Sequence, residues 1–472
     1  MHGIEETIAR GMCIGCGACS AATSGAVRVT LNTNRLYTAS LGDATSDQIR
    51  AASRVCPFSD DAVDEDALGA PHPSVGARTD RRIGTYTRTL VGSVASETER
   101  VKSSSGGMTS WMLAKLIDEG LVDAIVHVGR TASAPELFEF TVSRSEREIE
   151  ERRKSQYYAT TFAEVFQTIL GEDIRVAVVG IPCFIKAARL LCREDERFAT
   201  RITMFVGLVC GHLKSQFFAE ALAWQAGVAP SELSRVDFRV KNSERSAGDY
   251  DFGAWRENDA EPSRQRTRSL IGGMWGHCAF QPEACNFCDD IFAETADIVF
   301  GDAWLPEYSA DWRGTNVIVS RNEALDAILE AGMSSGEILV EDVGPDKVAH
   351  SQAGNFRHRR DGLAVRLADD IAAGKTVPKK RVEPDAHRVD RRRRRLIRQR
   401  RRMAALSFTW FAEARSSGDL SRFVAPMRRE IAKYDRIAVP PWKTLAGAPA
   451  KLFARFARLV SARQAVMRER RD

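Results

Sequence analysis

Three cysteines in one short run, Cys13-Ile14-Gly15-Cys16-Gly17-Ala18-Cys19, put three thiolates on a tight turn. Gly15 and Gly17 let the backbone curl around a compact inorganic core. Thiolates at this spacing suit a cubane 4Fe-4S cluster, which takes four sulfur ligands. The fourth is read as Cys56, because Cys56-Pro57 repeats the Cys-Pro ending of bacterial ferredoxin runs. Zinc knuckles usually take two thiolates from each of two separated turns, so this run fits zinc less well. A structural metal knuckle is the competing reading. A two-cluster ferredoxin would carry another Cys-Pro where Thr23-Ser24 stand and a second Cys-x-x-Cys ahead of Cys56; both are missing.

A second group of cysteines is spread along the chain. Residues 174–179 read as a buried strand that ends in Gly180-Ile181-Pro182-Cys183, followed by a helix over 184–191. Residues 202–209 read as the next strand, ending at Cys210-Gly211-His212 and leading into a helix over 215–224. Both cysteines therefore fall at strand carboxyl ends, the usual place for chemistry in an open α/β sheet. Cys285-Asn286-Phe287-Cys288 supplies a Cys-x-x-Cys pair, which alone fits zinc, a redox dithiol or cluster ligation. Cys183, Cys210, Cys285 and Cys288 together would hold a second cluster, with Cys278 as an alternative ligand. Cys192, inside a helix, reads as a small hydrophobe.

Lys102-Ser103-Ser104-Ser105-Gly106-Gly107-Met108-Thr109-Ser110 lies between a strand at 89–94 and a helix at 111–119. A Ser/Gly loop opening a helix offers backbone N–H groups to an anion, and the pyrophosphate of a dinucleotide cofactor is its natural occupant. An unliganded helix cap is the competing reading, and the pattern is neither Rossmann nor P-loop. Lys102, Arg239 and Lys241 are candidates to hold phosphate or an anionic substrate, set against solvated surface charges. Asp302 ends a strand in Gly301-Asp302-Ala303-Trp304 and is a candidate proton relay, set against a turn cap.

The elements that carry these residues need more than one core, since 472 residues exceed what a single core serves. The expected fold class is α+β / α/β. A small ferredoxin-like domain (1–75) would end in the linker Pro71-His72-Pro73-Ser74, and a mixed α/β domain (80–370), which the resemblance named below makes flavin-binding, would follow. An arginine-rich helical extension (377–472) completes the chain. No export signal opens the sequence and no apolar run is long enough to span a bilayer. Ten cysteines then imply metal-bound thiolates in a reducing cytoplasm rather than disulfides.

These pieces resemble the family of coenzyme F-420 hydrogenase/dehydrogenase beta subunits, which includes ferredoxin-dependent reductases of chlorophyll pigments. The resemblance rests on the Cys13–Cys19 run, Ser105-Gly106-Gly107, Gly180-Ile181-Pro182-Cys183, Val209-Cys210-Gly211-His212 and Phe238-Arg239-Val240-Lys241. The Cys285/Cys288 pair and Ala296-Asp297-Ile298 through Trp304 complete it, in order, over about residues 10 to 370. It implies FAD and cubane clusters in a cytoplasmic oxidoreductase, with Ser105-Gly106-Gly107 against the flavin. Ferredoxin or a deazaflavin would be the electron carrier, and the substrate is undetermined. Gly211-His212 reverses the His-Gly order common in the family. Two other functions compete: a non-catalytic electron-transfer subunit of a larger reductase or dehydrogenase, and a zinc-stabilised binding protein with a basic tail.

The tail begins at about Val377. Arg391 to Arg395 is an unbroken arginine run, a block that usually stays solvated or binds a polyanion. Leu452, Phe453, Phe456, Leu459 and Val460, flanked by Lys451, Arg455, Arg458 and Arg463, form a basic amphipathic pattern. Such a helix packs on its own domain or lies peripherally on an anionic membrane face. Nucleic acid is disfavoured, since no recognition fold accompanies the charge.

Overall fold

The computed structural model of the chain describes residues 2–69, 76–131 and 136–439. The N-terminal segment pairs β1 (Arg28–Leu31) with β2 (Tyr37–Ser40) as an antiparallel hairpin. Its helix Ser46–Arg54 opens on a capping box between Thr45 and Gln48 and delivers Cys56 just beyond its end. The short hairpin of β3 (Arg78–Asp80) and β4 (Gly84–Tyr86) follows.

The body is then built in chain order from β5 (Arg88–Val94), β6 (Ala124–Arg130), β7 (Phe138–Ser143), β8 (Val176–Gly180) and β9 (Ile202–Leu208). A separate three-stranded sheet takes β10 (Arg235–Val240), β11 (Asp251–Trp255) and β12 (Ser263–Arg266). The chain returns with β13 (Ile298–Asp302), β14 (Asn316–Ser320) and β15 (Ile338–Asp342). The large sheet has the order β15-β5-β14-β13-β9-β8-β6-β7. Its centre, β13-β9-β8-β6, is parallel, and the flanking strands are antiparallel. Every residue of β8 is buried. That matches its unbroken apolar sequence, as expected of a parallel strand covered on both faces. The strands and helices read from the sequence are present, with ends displaced by a few residues: the helix read over 111–119 is Met108–Asp118.

The N-terminal segment shares a continuous core with the body, in which Ile4, Met12, Ala18 and Val55 join Phe162, Phe184 and Leu191. The Phe162 amide donates to the Cys16 carbonyl, and Lys186 makes a buried ion pair with Glu65. The arginine-rich segment also packs on the body. Helix Arg391–Ser417, capped by Asp390 and closed by a left-handed Gly418, folds back against helix Ser421–Ala438. Phe411 and Phe423 pack on Phe280 and each other. Arg391, Arg392 and Arg395 are exposed, as a solvated block would be. Arg401, however, turns inward to Asp370 and Glu283. The apolar residues one turn apart in this helix bury it despite its charge. The Pro71–Ser74 linker and the basic amphipathic pattern at 451–463 lie outside the described residues. Among the described residues no helix is long and apolar enough to cross a membrane.

Candidate functional site

Cys13, Cys16, Cys19 and Cys56 line one small cavity of about 20 Å³ with apolar walls from Ile4, Val29, Val55 and Phe58. Gly15 and Gly17 are both left-handed, at φ 63 and 91. A Cβ at Gly17 would come within 2.6 Å of the Ala163 amide, so only glycine fits there. The Cys13 sulfur accepts from the amides of Gly15 (3.4 Å) and Ala39 (3.3 Å). Burial first, and the neighbouring sulfurs after it, push Cys16 and Cys19 well above the usual thiol range; burial takes Cys56 to about 11.

The second quartet also assembles. Cys183 stands in the first turn of helix Pro182–Glu194, beyond β8, and Cys210 follows β9. Cys285 lies in the single turn Glu283–Asn286, with Cys288 just after it. Burial raises the Cys183 thiol well above its ordinary range, and Cys288, Cys210 and Cys285 add to the effect. Burial likewise takes Cys210 to about 11 and Cys285 to about 12. The Cys285 sulfur accepts from the Leu213 amide at 3.2 Å. Cys278 is placed elsewhere: its sulfur takes the Nε–H of Arg400 at 3.1 Å, beneath helix Arg391–Ser417. Cys278, the alternative ligand, thus has its sulfur on Arg400, and it is absent from the strongest influences on Cys183, Cys210 and Cys285. Cys192 sits half-buried at the edge of the core, as a small hydrophobe would.

Each quartet gathers four sulfur donors, the donor type and number that a cubane cluster takes. Metal binding needs deprotonated sulfur, and the bound metal's positive charge is what lets four thiolates sit together. The donor sets thus fit 4Fe-4S clusters.

A cavity of about 280 Å³ opens at the carboxyl ends of β6, β8, β9 and β13, and Cys210 forms part of its wall. The Ser103-Ser104-Ser105 loop, Gly107 and Thr109 line it. Ser104 accepts from the Ser155 amide, which closes the loop over the cavity edge. Arg152, Arg153, Lys154, Lys214 and Arg239 reach the cavity, against Asp302 as the carboxylate among its described lining. The His212 Nε2 and the Arg239 Nε are buried there without a hydrogen-bond partner. Trp275 packs on the His212 ring at 4.4 Å.

Lys102, Met108, Gly106 and Lys241 sit around the loop rather than in the cavity wall. Lys102 is exposed and pairs with Glu99 on its own helix, away from the cavity. Met108 is wholly buried in the core beneath the loop, and its amide donates to the Asn316 side chain. Gly106 packs against backbone instead of lining the cavity: a Cβ there would lie 2.8 Å from the Gly92 carbonyl. Lys241 spends its ammonium on three carbonyls, Arg100, Ser105 and Arg313. It braces the loop from behind, and burial among Arg239, Lys154 and Arg100 lowers it to about 7. Asp302 is not a free carboxylate, since both oxygens are taken by the Arg239 guanidinium at 2.9–3.1 Å. Arg239 is itself sandwiched by the Tyr250 and Trp304 rings. A proton relay through Asp302 would first have to open that pair.

Other contributors carried no signal of their own. Arg152-Arg153-Lys154 is an ordinary basic triplet in a sequence with 68 lysines and arginines. Beneath the second quartet Arg381 meets Glu294, and Lys380 meets Asp289, as buried ion pairs.

Two family models match the chain: the N-terminal part of the coenzyme F-420 hydrogenase/dehydrogenase beta subunit over residues 89–167, and its C-terminal part over 173–346. Together they cover more than half of the sequence. The chain belongs to this family. Its members are oxidoreductase components. A curated relative, a subunit of the F(420)H(2) dehydrogenase of Methanosarcina mazei, is 27% identical over 216 residues. That match spans 44% of this chain and 55% of the relative, so the chain spans about half the relative's length. Among solved structures, a chain of the F-420-reducing NiFe hydrogenase complex of Methanosarcina barkeri aligns with a TM-score of 0.48 and 15% identity. The alignment covers 64% of this chain and 98% of that one. The two matched stretches of the family hold the cavity loop and all four cysteines of the second quartet, while the first quartet and everything after residue 346 lie outside them.

Proposed function

We propose that this chain is an iron–sulfur flavoprotein oxidoreductase with two 4Fe-4S clusters and FAD. The observation that carries the reading is the shared wall: Cys210 belongs both to the buried thiol quartet and to the cationic cavity at the strand ends. Cys13, Cys16, Cys19 and Cys56 would hold the outer cluster; Cys183, Cys210, Cys285 and Cys288 would hold the inner one. When bound, such clusters carry electrons singly and FAD collects two for the substrate.

The protein's own part is binding and orientation. The cavity, at about 280 Å³, is close to the lower bound of roughly 300 Å³ for ligand pockets. Its basic lining, with Arg153, Lys154 and Arg239 each paired to an acidic neighbour (Glu99, Asp237 and Asp302), would offer guanidinium and ammonium donors to a pyrophosphate. The first-turn amides of helix Met108–Asp118 add the positive end of a helix dipole. Lys241 fixes the Ser/Gly loop by gripping the Ser105 carbonyl. The unpartnered His212 and Arg239 nitrogens offer donors or acceptors to a polar ring system. The electron carrier is a ferredoxin-type protein or a deazaflavin; the relative's name, which places it in an F(420)H(2) dehydrogenase, favours the deazaflavin. That name also supports a second reading, an electron-transfer subunit of a larger reductase or dehydrogenase.

Anaerobic purification followed by iron, sulfide and flavin assay tests the proposal. The expected content is about eight irons, about eight sulfides and one FAD per chain. A colourless protein containing zinc would overturn it in favour of a zinc-stabilised binding protein.

A further inference from the structure

The inner thiol quartet is built around a buried cation, and the outer one is not. Arg359 is 1% exposed and lies on a single π-helical turn, Arg357–Asp361, between two α-helices. Such turns are rare and recur at functional sites. Its guanidinium donates to the Cys210 sulfur at 3.5 Å, to the Gly211 carbonyl at 2.9 Å and to the Asp290 carbonyl at 3.0 Å. Among the described residues none of its hydrogen bonds goes to a carboxylate. The groups acting most strongly in its favour are the four thiols of Cys288, Cys210, Cys285 and Cys183. A buried charge needs a partner of opposite sign. The strongest favourable influences on it are the four thiols, so the negative charge of a thiolate-bound cluster is the partner its surroundings offer. Arg366, from the following helix, donates to the Asn286 carbonyl at 2.7 Å and so braces the Cys285–Cys288 turn.

The outer quartet is served by neutral donors. Cys13 accepts from two backbone amides. The influences on Cys16, Cys19 and Cys56 are burial, local amides, the Thr7 hydroxyl and one another, with no cation among the strongest.

We propose that Arg359 is a positioning and tuning residue that raises the reduction potential of the inner cluster above that of the outer one. The inference rests on the two-cluster reading above. Reduction adds one negative charge to a cluster. A fixed cation and an N–H donor at its sulfur stabilise that charge, and both are recognised controls of cluster potential. One electron then leaves the reduced outer cluster and enters the oxidised inner one, with no proton required because Arg359 stays charged. The gradient runs inward, from the N-terminal turn toward the cavity that borders Cys210. Arg359 lies beyond residue 346, where the family match ends.

The test is a potentiometric titration followed by electron paramagnetic resonance on the full chain with both clusters loaded. A Cys16→Ser variant, lacking the outer cluster, assigns the inner signal. In the unmodified protein the inner cluster is expected to be reduced first. In Arg359→Gln its reduced-to-oxidised ratio at fixed potential should fall at least tenfold, which is 59 mV for one electron. The outer signal should not move, and Arg359→Lys should fall between the two. An inner cluster that is reduced after the outer one overturns the proposal, as does an Arg359→Gln ratio within threefold of the original. Should Arg359→Gln lose the inner cluster, the order of reduction in the unmodified protein and the Arg359→Lys shift decide. If the unmodified protein lacks iron and sulfide, the two-cluster reading fails instead.

Discussion

Gly15→Ala puts a number on the outer thiol turn. Gly15 sits at φ 63, and a Cβ there would lie 2.2 Å from the Tyr37 Cβ and 2.4 Å from the Tyr37 carbonyl oxygen. The left-handed backbone costs an L-residue roughly 1–2 kcal/mol. Tyr37 opens β2, so relief of the clash must shift the hairpin, and overpacking of this kind adds about 1–3 kcal/mol. The sum is about 2–5 kcal/mol. Gly25→Ala is the matched control, since Gly25 has φ 86 but nothing within 4 Å of its Cβ position. It should lose only the backbone part. Moving β2 also moves the Ala39 amide away from the Cys13 sulfur. Urea unfolding should therefore place Gly15→Ala about 1–3 kcal/mol below Gly25→Ala. Its iron should drop by about four atoms per chain with flavin retained. Equal midpoints and equal iron in the two variants would refute the claim that Tyr37 is packed hard against the turn.

Arg239→Met strands the Asp302 carboxylate and should cost about 3–5 kcal/mol, with loss of flavin absorbance. Adding Asp302→Asn should recover much of the stability in urea unfolding but not the flavin. Lys241 supplies a pH signature. Its folded value is lowered to about 7 from 10.5, so between those limits the unfolded chain binds the extra proton and stability rises with pH. Lys241→Met should flatten that part of the stability profile, measured as urea midpoint against pH from 7 to 10. Phe411→Ala removes a wholly buried ring between Phe217, Phe280 and Phe423, and should cost about 3–5 kcal/mol by the same unfolding assay. A change below 1 kcal/mol would mean that the C-terminal helices are not part of the core.

Short-range patterns carried most of what could be read from the residues alone. The Cys13–Cys19 spacing and the run through β8 are local, and each specifies its own geometry. The strand-end positions of Cys183 and Cys210 were legible because apolar runs stop just before them. What escaped was decided by side-chain direction and by distant neighbours. Lys102, Met108, Gly106 and Lys241 flank the cavity loop in sequence or in space. Yet one faces water, one faces the core, one packs on backbone and one grips the loop from behind. Cys278 looked like a ligand because it sits close to Cys285, but its left-handed turn points the sulfur at Arg400. Arg359 was silent among many arginines, since only the fold brings it to four cysteines that lie far away along the chain. The arginine block showed its solvated face but not the apolar face of the same helix. Charge alone says solvated, while the phenylalanines on the same helix decide that it docks.

The Cys13–Cys56 segment is welded to the body by a shared apolar interior, the Phe162–Cys16 backbone bond and the sealed Lys186–Glu65 pair. Carriers that swing on a tether must diffuse between docking sites, and their turnover slows in a viscous medium. A head anchored in this way has no arc to travel. If the proposed clusters are present, electron passage between its thiol turn and the interior should keep the same rate in glycerol as in buffer, leaving only the encounter with an outside donor to feel the drag of the solvent.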